Sequence, residues 1–401
     1  MPFDIPIDRS SSCSVKWSRY DATDILPMWL ADMDFQVAQP IQDALKKRIE
    51  HDIYGYSSPP KELNKAVCDH MAEDYDWEID EDWIVWLPGV LPGLIASCKA
   101  TRDFGEWVIV QSPVFSEFFK VVKHAERELC DVPMVSSDGR WSFDLEQLER
   151  KIQPETQAVL LCLPNNPTGT IFTEQELLAL VKLCAQHDVA IISDEIHSGL
   201  VLDAEKQHRP LAKIASWYRD KIITLTSPSK TFNLGGVNCA YAVIPSNDLR
   251  KKFIAECRTL GVMPMASAFG YAATLAAYRD SKSWKAAVID YLRGNYEYLQ
   301  SSLERVPGIE LHSLDATYLA WLDVTQLGLR DSRQFFEQIG VGVSPGDEFG
   351  DENFVRLNFA CARSRLKLAV KRIESGVLAH NKISNRVDHS LVINRLCRSR
   401  A

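Results

Sequence analysis

The sequence lacks any apolar run approaching the ~18 residues of a membrane-spanning helix, so nothing in it predicts insertion into a bilayer. It also lacks the pattern of a secretory leader: Asp4, Asp8 and Arg9 stand where a basic segment followed by an apolar stretch is needed. No two of its ten cysteines (13, 68, 98, 130, 162, 184, 239, 257, 361 and 397) have C-x-x-C spacing. That scatter fits reduced thiols in a reducing compartment and argues against a disulfide framework or a zinc site. Basic excess is missing as well. Lys and Arg total 45 against 54 Asp and Glu, a formal net charge of −9, the wrong sign for a protein that wraps nucleic acid. There is no internal repeat and no low-complexity tract. The expectation is a cytoplasmic protein with no metal, no nucleic-acid partner and no membrane partner.

What is present is ordinary globular composition, with 46% hydrophobic and 25% charged residues over 401 positions. At ~150 residues per domain, that length predicts two or three domains. Through the middle of the chain, short β-branched runs alternate with longer amphipathic segments. Trp107–Gln111, Ala158–Leu163, Val189–Ser193 and Lys221–Thr226 read as buried strands. Between them, Thr173–His187 has helical spacing and opens on a capping box made by Thr173 and Glu176. Strand, helix, strand at this rhythm predicts an α/β fold with a mostly parallel sheet covered on both faces. From Ser281 the pattern changes: a long helical stretch, Trp284–Arg305, precedes strand-like Tyr318–Val324 and Asn353–Ala360, which predicts a smaller α+β domain. The final stretch from Asn385 carries Arg386, Arg395, Arg398 and Arg400 against one acidic residue and reads as a frayed or non-native terminus, with a basic interaction arm as the alternative.

Four short strings carry chemistry. In Thr226–Gly236 (TSPSKTFNLGG), Lys230 follows a strand, with Ser227 and Ser229 at −3 and −1. It is either a surface-loop lysine or an amine that attacks a carbonyl while the hydroxyls hold a phosphate, which is what a pyridoxal 5′-phosphate Schiff base requires. Asp194, in SDEIH at a strand end, either caps the next helix or pairs with the pyridinium nitrogen that keeps such a ring an electron sink. Leu161–Thr170 (LCLPNNPTGT) is a turn on any reading, in which an Asn side chain can donate to a phenolic oxygen. Leu87–Gly93 (LPGVLPG) is a glycine turn before a helix, where free amides and the helix dipole favour an anion.

Taken in order, these strings resemble the fold-type I pyridoxal-phosphate enzymes of the class I/II aminotransferase family, from about Val15 to Arg372. Lys16-Trp17, Met28–Phe35 (MWLADMDF), Tyr54-Gly55-Tyr56, Ser193–His197 and Thr317–Asp323 are similar to the cystathionine β-lyase branch, the MalY/PatB-type C–S lyases. The resemblance implies a large cofactor-binding domain over 46–280 and a small C-terminal domain over 281–384. It further implies an N-terminal segment, 1–45, packing with the small domain; the tail over 385–401 lies beyond the resemblance and is expected to be disordered. Lys230 would form the Schiff base and shuttle the α-proton, Asp194 would pair with the ring nitrogen, and Asn166 would contact the phenolic oxygen and the substrate. The amides of Val90 and Leu91, with Ser227 and Ser229, would hold the phosphate. Tyr56 would reach that phosphate from a partner subunit, implying a homodimer with sites at the interface. Arg356 would fork onto the substrate α-carboxylate, the planar recognition for which arginine is suited.

Several positions depart from the family pattern. Phe115 stands where a Tyr usually stacks on the ring, and His197 where many transaminases have a Tyr near the phenolic oxygen. Asn238 occupies the place of a phosphate-binding Arg, Leu163 replaces an Asn, and Gly199 replaces a commonly acidic residue. Trp29, Tyr318 and Trp321 are candidates for the entrance, against the tendency of tryptophans to pack cores. The implied activity is cleavage of L-cystathionine or related cysteine S-conjugates to a thiol, pyruvate and ammonia. The alternatives are transamination of an L-amino acid, and a cofactor-binding regulator acting through a protein partner.

Overall fold

A computed structural model describes residues 2–263 and 265–398. Its centre is a seven-stranded sheet in the order Ile84–Leu87, Ala240–Val243, Ile222–Thr226, Ala190–Asp194, Thr156–Cys162, Trp107–Val110, Glu128–Asp131. Only Ala240–Val243 runs antiparallel to its neighbours. The strand Thr156–Cys162 is buried at every residue, as a parallel strand covered on both faces must be. Val159 and Ile191 face one apolar core, while Ala158 and Ile192 face another on the opposite side. The alternation that distributes them is the two-residue period of a strand. Crossover helices cover the sheet, among them Glu174–Gln186, which opens on the Thr173–Glu176 capping box.

The smaller unit is a four-stranded sheet in the order Glu310–Leu311, Leu319–Asp323, Phe354–Asn358, Ser344–Pro345. Its third apolar core takes in the long helix Lys282–Leu303 and the helix that begins at Arg363. The N-terminal segment divides at Gln36 rather than running to residue 45. Phe3, Met28, Met33 and Phe35 join the small-domain core, and Leu26–Pro27 pairs in parallel with Val341–Gly342. Ala38 and Ile41 instead sit in the large-domain core, because the helix Gln39–Ile49 turns its apolar side onto Ala268–Asp280.

The tail expected to be disordered from residue 385 continues the terminal helix, which runs unbroken over Arg363–Arg398. No proline interrupts that stretch. The last three residues lie outside the described ones. None of the described helices is long and apolar enough to cross a membrane.

Candidate active site

The residues with chemical potential follow the carboxyl ends of the large-sheet strands, where open α/β sheets place their ligands. Lys230 follows Ile222–Thr226, Asp194 ends Ala190–Asp194, Asn166 follows Thr156–Cys162, Phe115 follows Trp107–Val110, and Val90 follows Ile84–Leu87. These five, with Leu91, His197, Ser227 and Ser229, line one cavity of about 500 Å³. Residues as far apart in sequence as 90 and 230 meet there because successive parallel strands all point the same way.

Lys230 is half-buried, and its Nζ donates to the Ala31 carbonyl across 2.8 Å. Burial, then repulsion from Arg356, brings its amine down to about 8. Asp194 is buried, and among the described residues its carboxylate accepts one hydrogen bond, from the Ile196 amide at 3.1 Å. Burial pushes it up to about 7. An acid so placed has room for a cationic partner in the cavity. His197 is buried and, among the described residues, its Nδ1 has no hydrogen-bond partner. Burial, with the charges of Lys230 and Arg356, holds its imidazole well below the usual range, so the ring is neutral.

Arg356 stands behind Asn166. One of its amino groups donates to Asn166 Oδ1 at 2.8 Å and the other to the Trp29 carbonyl at 2.9 Å, while Nε is buried with no partner among the described residues. Its guanidinium lies 4.5 Å above the Phe349 ring. Among the described residues no carboxylate pairs with it, and burial lowers it to about 10. A buried arginine without a counter-ion is costly unless a ligand supplies one.

The anion end of the cavity is the start of the helix Val90–Ala100, whose first amides have no intrahelical acceptor. Ser229 and Asn238 also line the cavity. Ser227 lines the cavity as well, and it also braces the chain. Its hydroxyl donates to the Cys239 carbonyl at 2.7 Å and accepts from the Ser229 amide at 3.0 Å, so it braces the turn that carries Lys230. Tyr56 is fully exposed and does not line the cavity of its own chain.

Two further expectations are corrected. Trp321 does not line an entrance: it is fully buried and stacked 4.9 Å from Phe354. It alternates with residues that pack the other face of its strand, and its own face is the one closed by Phe349. Tyr318 is likewise buried, its hydroxyl donating to the Ala31 carbonyl at 3.0 Å. Gly199 answers a packing need, since a Cβ there would lie 2.5 Å from Thr231 Oγ1.

The carbonyls of Trp29–Asp32 belong to the site although no sequence motif points to them. All four accept from side chains of the site or its supports: Trp29 from Arg356, Leu30 and Asp32 from Asn358, Ala31 from Lys230 and Tyr318. The nearest signal is the string WLADMDF itself, whose two aspartates are ion-paired. Asp34 is wholly buried among Lys16, Arg9 and Arg365, and accepts from the Trp17 indole.

A family model described as aminotransferase class I and II matches residues 28–373. Cystathionine beta-lyase PatB of Bacillus subtilis (strain 168) is 34% identical over 388 residues, covering 94% of this chain and all of the relative. The crystal structure of OvoB superposes with a TM-score of 0.91 at 36% identity, over 94% of this chain and 99% of that one. The PLP-bound C–S lyase of Staphylococcus hominis superposes with a TM-score of 0.88 at 26% identity, over 94% and 98%.

Proposed function

Since the chain belongs to the class I and II aminotransferase family, with pyridoxal 5′-phosphate as its cofactor, we propose that this cavity cleaves the carbon–sulfur bond of thioether amino acids. L-Cystathionine and related cysteine S-conjugates are the substrates, and a thiol (homocysteine from cystathionine), pyruvate and ammonia are the products. The residues present fit the cofactor. Asp194 is a buried carboxyl short of a cation, His197 Nδ1 is a buried nitrogen short of a partner, and the helix amides at Val90 and Leu91 suit a phosphate. Asn166 and neutral His197 line the same cavity and would serve the phenolic oxygen, and Phe115 the ring face. Bound there, the cofactor supplies an electron sink for the substrate's α-carbon.

The protein's own contribution is positioning and proton transfer. Arg356 takes the α-carboxylate, filling the place of its missing counter-ion, and Asn166 fixes the angle of that fork. Lys230, with its amine brought down to about 8, has an appreciable free-base fraction near neutral pH and removes the α-proton. Asp194 holds a proton at the ring nitrogen. The sulfur then leaves the β-carbon as a thiolate, and the remaining three-carbon unit is hydrolysed to pyruvate and ammonia. Tyr56, exposed on its own chain, reaches the phosphate of a partner subunit, so the working unit is a homodimer.

The observation that carries this reading is the convergence, on one cavity, of a lysine of lowered pKa with the Asn166 that holds a buried, carboxylate-free arginine. The names of PatB and of the S. hominis enzyme support the lyase outcome over transamination. The test is to give the purified protein L-cystathionine and follow pyruvate and free thiol. Equal yields of both, lost in Lys230→Ala, are expected. A 2-oxo acid without thiol release would make it a transaminase.

A further inference from the structure

The Ala31–Asp32 corner is unlike the other contacts of Lys230. The Asp32 amide donates to the Leu30 carbonyl at 2.9 Å, a three-residue turn that leaves the Ala31 carbonyl directed away from it. That carbonyl takes both Lys230 Nζ and the Tyr318 hydroxyl. The Asp32 carboxylate beside it is held from the far side. Oδ2 pairs with Arg9 at 2.9 Å, and Lys16 Nζ stands 3.4 Å from Oδ1, which is buried and has no hydrogen bond among the described residues. Arg9 and Lys16 also hold Asp34, so the corner cannot shift without breaking a partly buried ion cluster.

We propose that Asp32 is a positioning residue for Lys230: its ion pairs with Arg9 and Lys16 fix the corner whose Ala31 carbonyl accepts from the amine at 2.8 Å, and its carboxylate is the charge next to that carbonyl in the chain. The charged groups acting on that amine are Arg356, which opposes its protonation, and Asp32 and Asp194, which favour it; His197 is neutral, and so is Tyr318, whose hydroxyl burial holds far above its ordinary value. Of the two carboxylates, Asp32 acts the more strongly. Its role follows from the reaction. Each turnover needs Lys230 released from the cofactor, kept close, and able to carry the proton it has taken. A carbonyl 2.8 Å away keeps it close, and a carboxylate held by Arg9 and Lys16 stabilises the protonated state without leaving its place.

The inference rests on Lys230 being the cofactor-bearing amine, and the experiment separates the two. The full-length holoprotein is titrated by pH and the visible absorbance of the lysine-bound cofactor is followed, in the wild type, Asp32→Asn and Asp32→Glu. In Asp32→Asn the midpoint falls by about half a pH unit or more, so that at the wild-type midpoint the protonated fraction drops from one half to about one quarter. Asp32→Glu keeps the charge and restores most of the shift. An unmoved midpoint in a folded Asp32→Asn protein overturns the proposal, as does an equal displacement in both variants, which would mark a packing effect. If Asp32→Asn does not fold, Arg9→Gln with Asp32→Asn removes the ion pair whole and is titrated in its place. If no visible band exists, the cofactor reading fails instead. Lys230 is then a free amine, and the pH midpoint of its labelling by trinitrobenzenesulfonate, read on its peptide by mass spectrometry, makes the same comparison.

Discussion

The Arg356 guanidinium donates to the Asn166 side-chain oxygen across 2.8 Å, tying a strand of the small domain to the turn that closes a strand of the large one. Neither residue is near the other in sequence, yet each completes what the other lacks. Asn166 gains a fixed orientation, and Arg356 gains one acceptor while still lacking a carboxylate.

Replacing Arg356 therefore removes more than a charge. Arg356→Lys keeps the charge but loses the fork and the hold on Asn166, and kcat/KM for a thioether amino acid is expected to fall about 100-fold, mostly through KM. Steady-state kinetics with the substrate ester as a control check this, because an ester lacks the carboxylate and loses little on substitution.

Asp194 makes stability of the cofactor-free chain depend on pH. Its folded pKa of about 7 lies above the usual 3.8, so its contribution to stability is fully present below about 4 and is lost as pH rises through 7. Asp194→Asn does not ionise. At pH 8 the cofactor-free variant is expected to melt about 3 °C above the cofactor-free wild type, with the gap closing near pH 4. With cofactor added the order reverses, since only the carboxylate pairs with the ring nitrogen. Melting curves at the two pH values, with and without cofactor, decide it.

Asp34 behaves in the opposite sense. Burial alone would raise it, but Lys16, Arg365 and Arg9 outweigh burial and hold it below its ordinary value. Its stabilisation is present above pH 4 and is lost as pH falls through the folded pKa. Asp34→Asn leaves three cations around a neutral amide and is expected to cost about 3–5 kcal/mol at pH 7, a cost that shrinks in acid. Urea unfolding at pH 7 and pH 3.5 measures both.

Tyr56 tests the homodimer. Lys230→Ala and Tyr56→Ala proteins are each expected to be poorly active. Unfolded, mixed in equal amounts and refolded, they form hybrids in which one of two sites has both an intact lysine and an intact tyrosine. About one quarter of wild-type activity should return by that arithmetic, half the dimers being hybrid with half their sites complete. No recovery, with hybrids demonstrated by tag capture, would place Tyr56 outside the site of its partner.

Much of the large domain was legible from local strings. The buried runs around Ile109, Val159, Ile191 and Ile223 are strands within a residue or two of where their β-branched content puts them. The Thr173–Glu176 cap is a contact between residues three apart, so the sequence contains both halves of it. Lys230, Asp194 and Asn166 were readable because strand-end loops keep reactive groups in short, ordered strings.

The tertiary path decided the remainder. YLAWLDV alternates whichever face is inward, so only packing against Phe349 and Phe354 buried Trp321 instead of exposing it at an entrance. The string WLADMDF named two acids, but their partners Arg9, Lys16 and Arg365 lie up to 331 residues away, beyond any local pattern. The sequence by itself determined which side chains could do acid–base and carboxylate chemistry. Which carbonyl would meet Lys230 it left open, because every residue carries the same backbone oxygen and only the folded chain brings Ala31 to that amine.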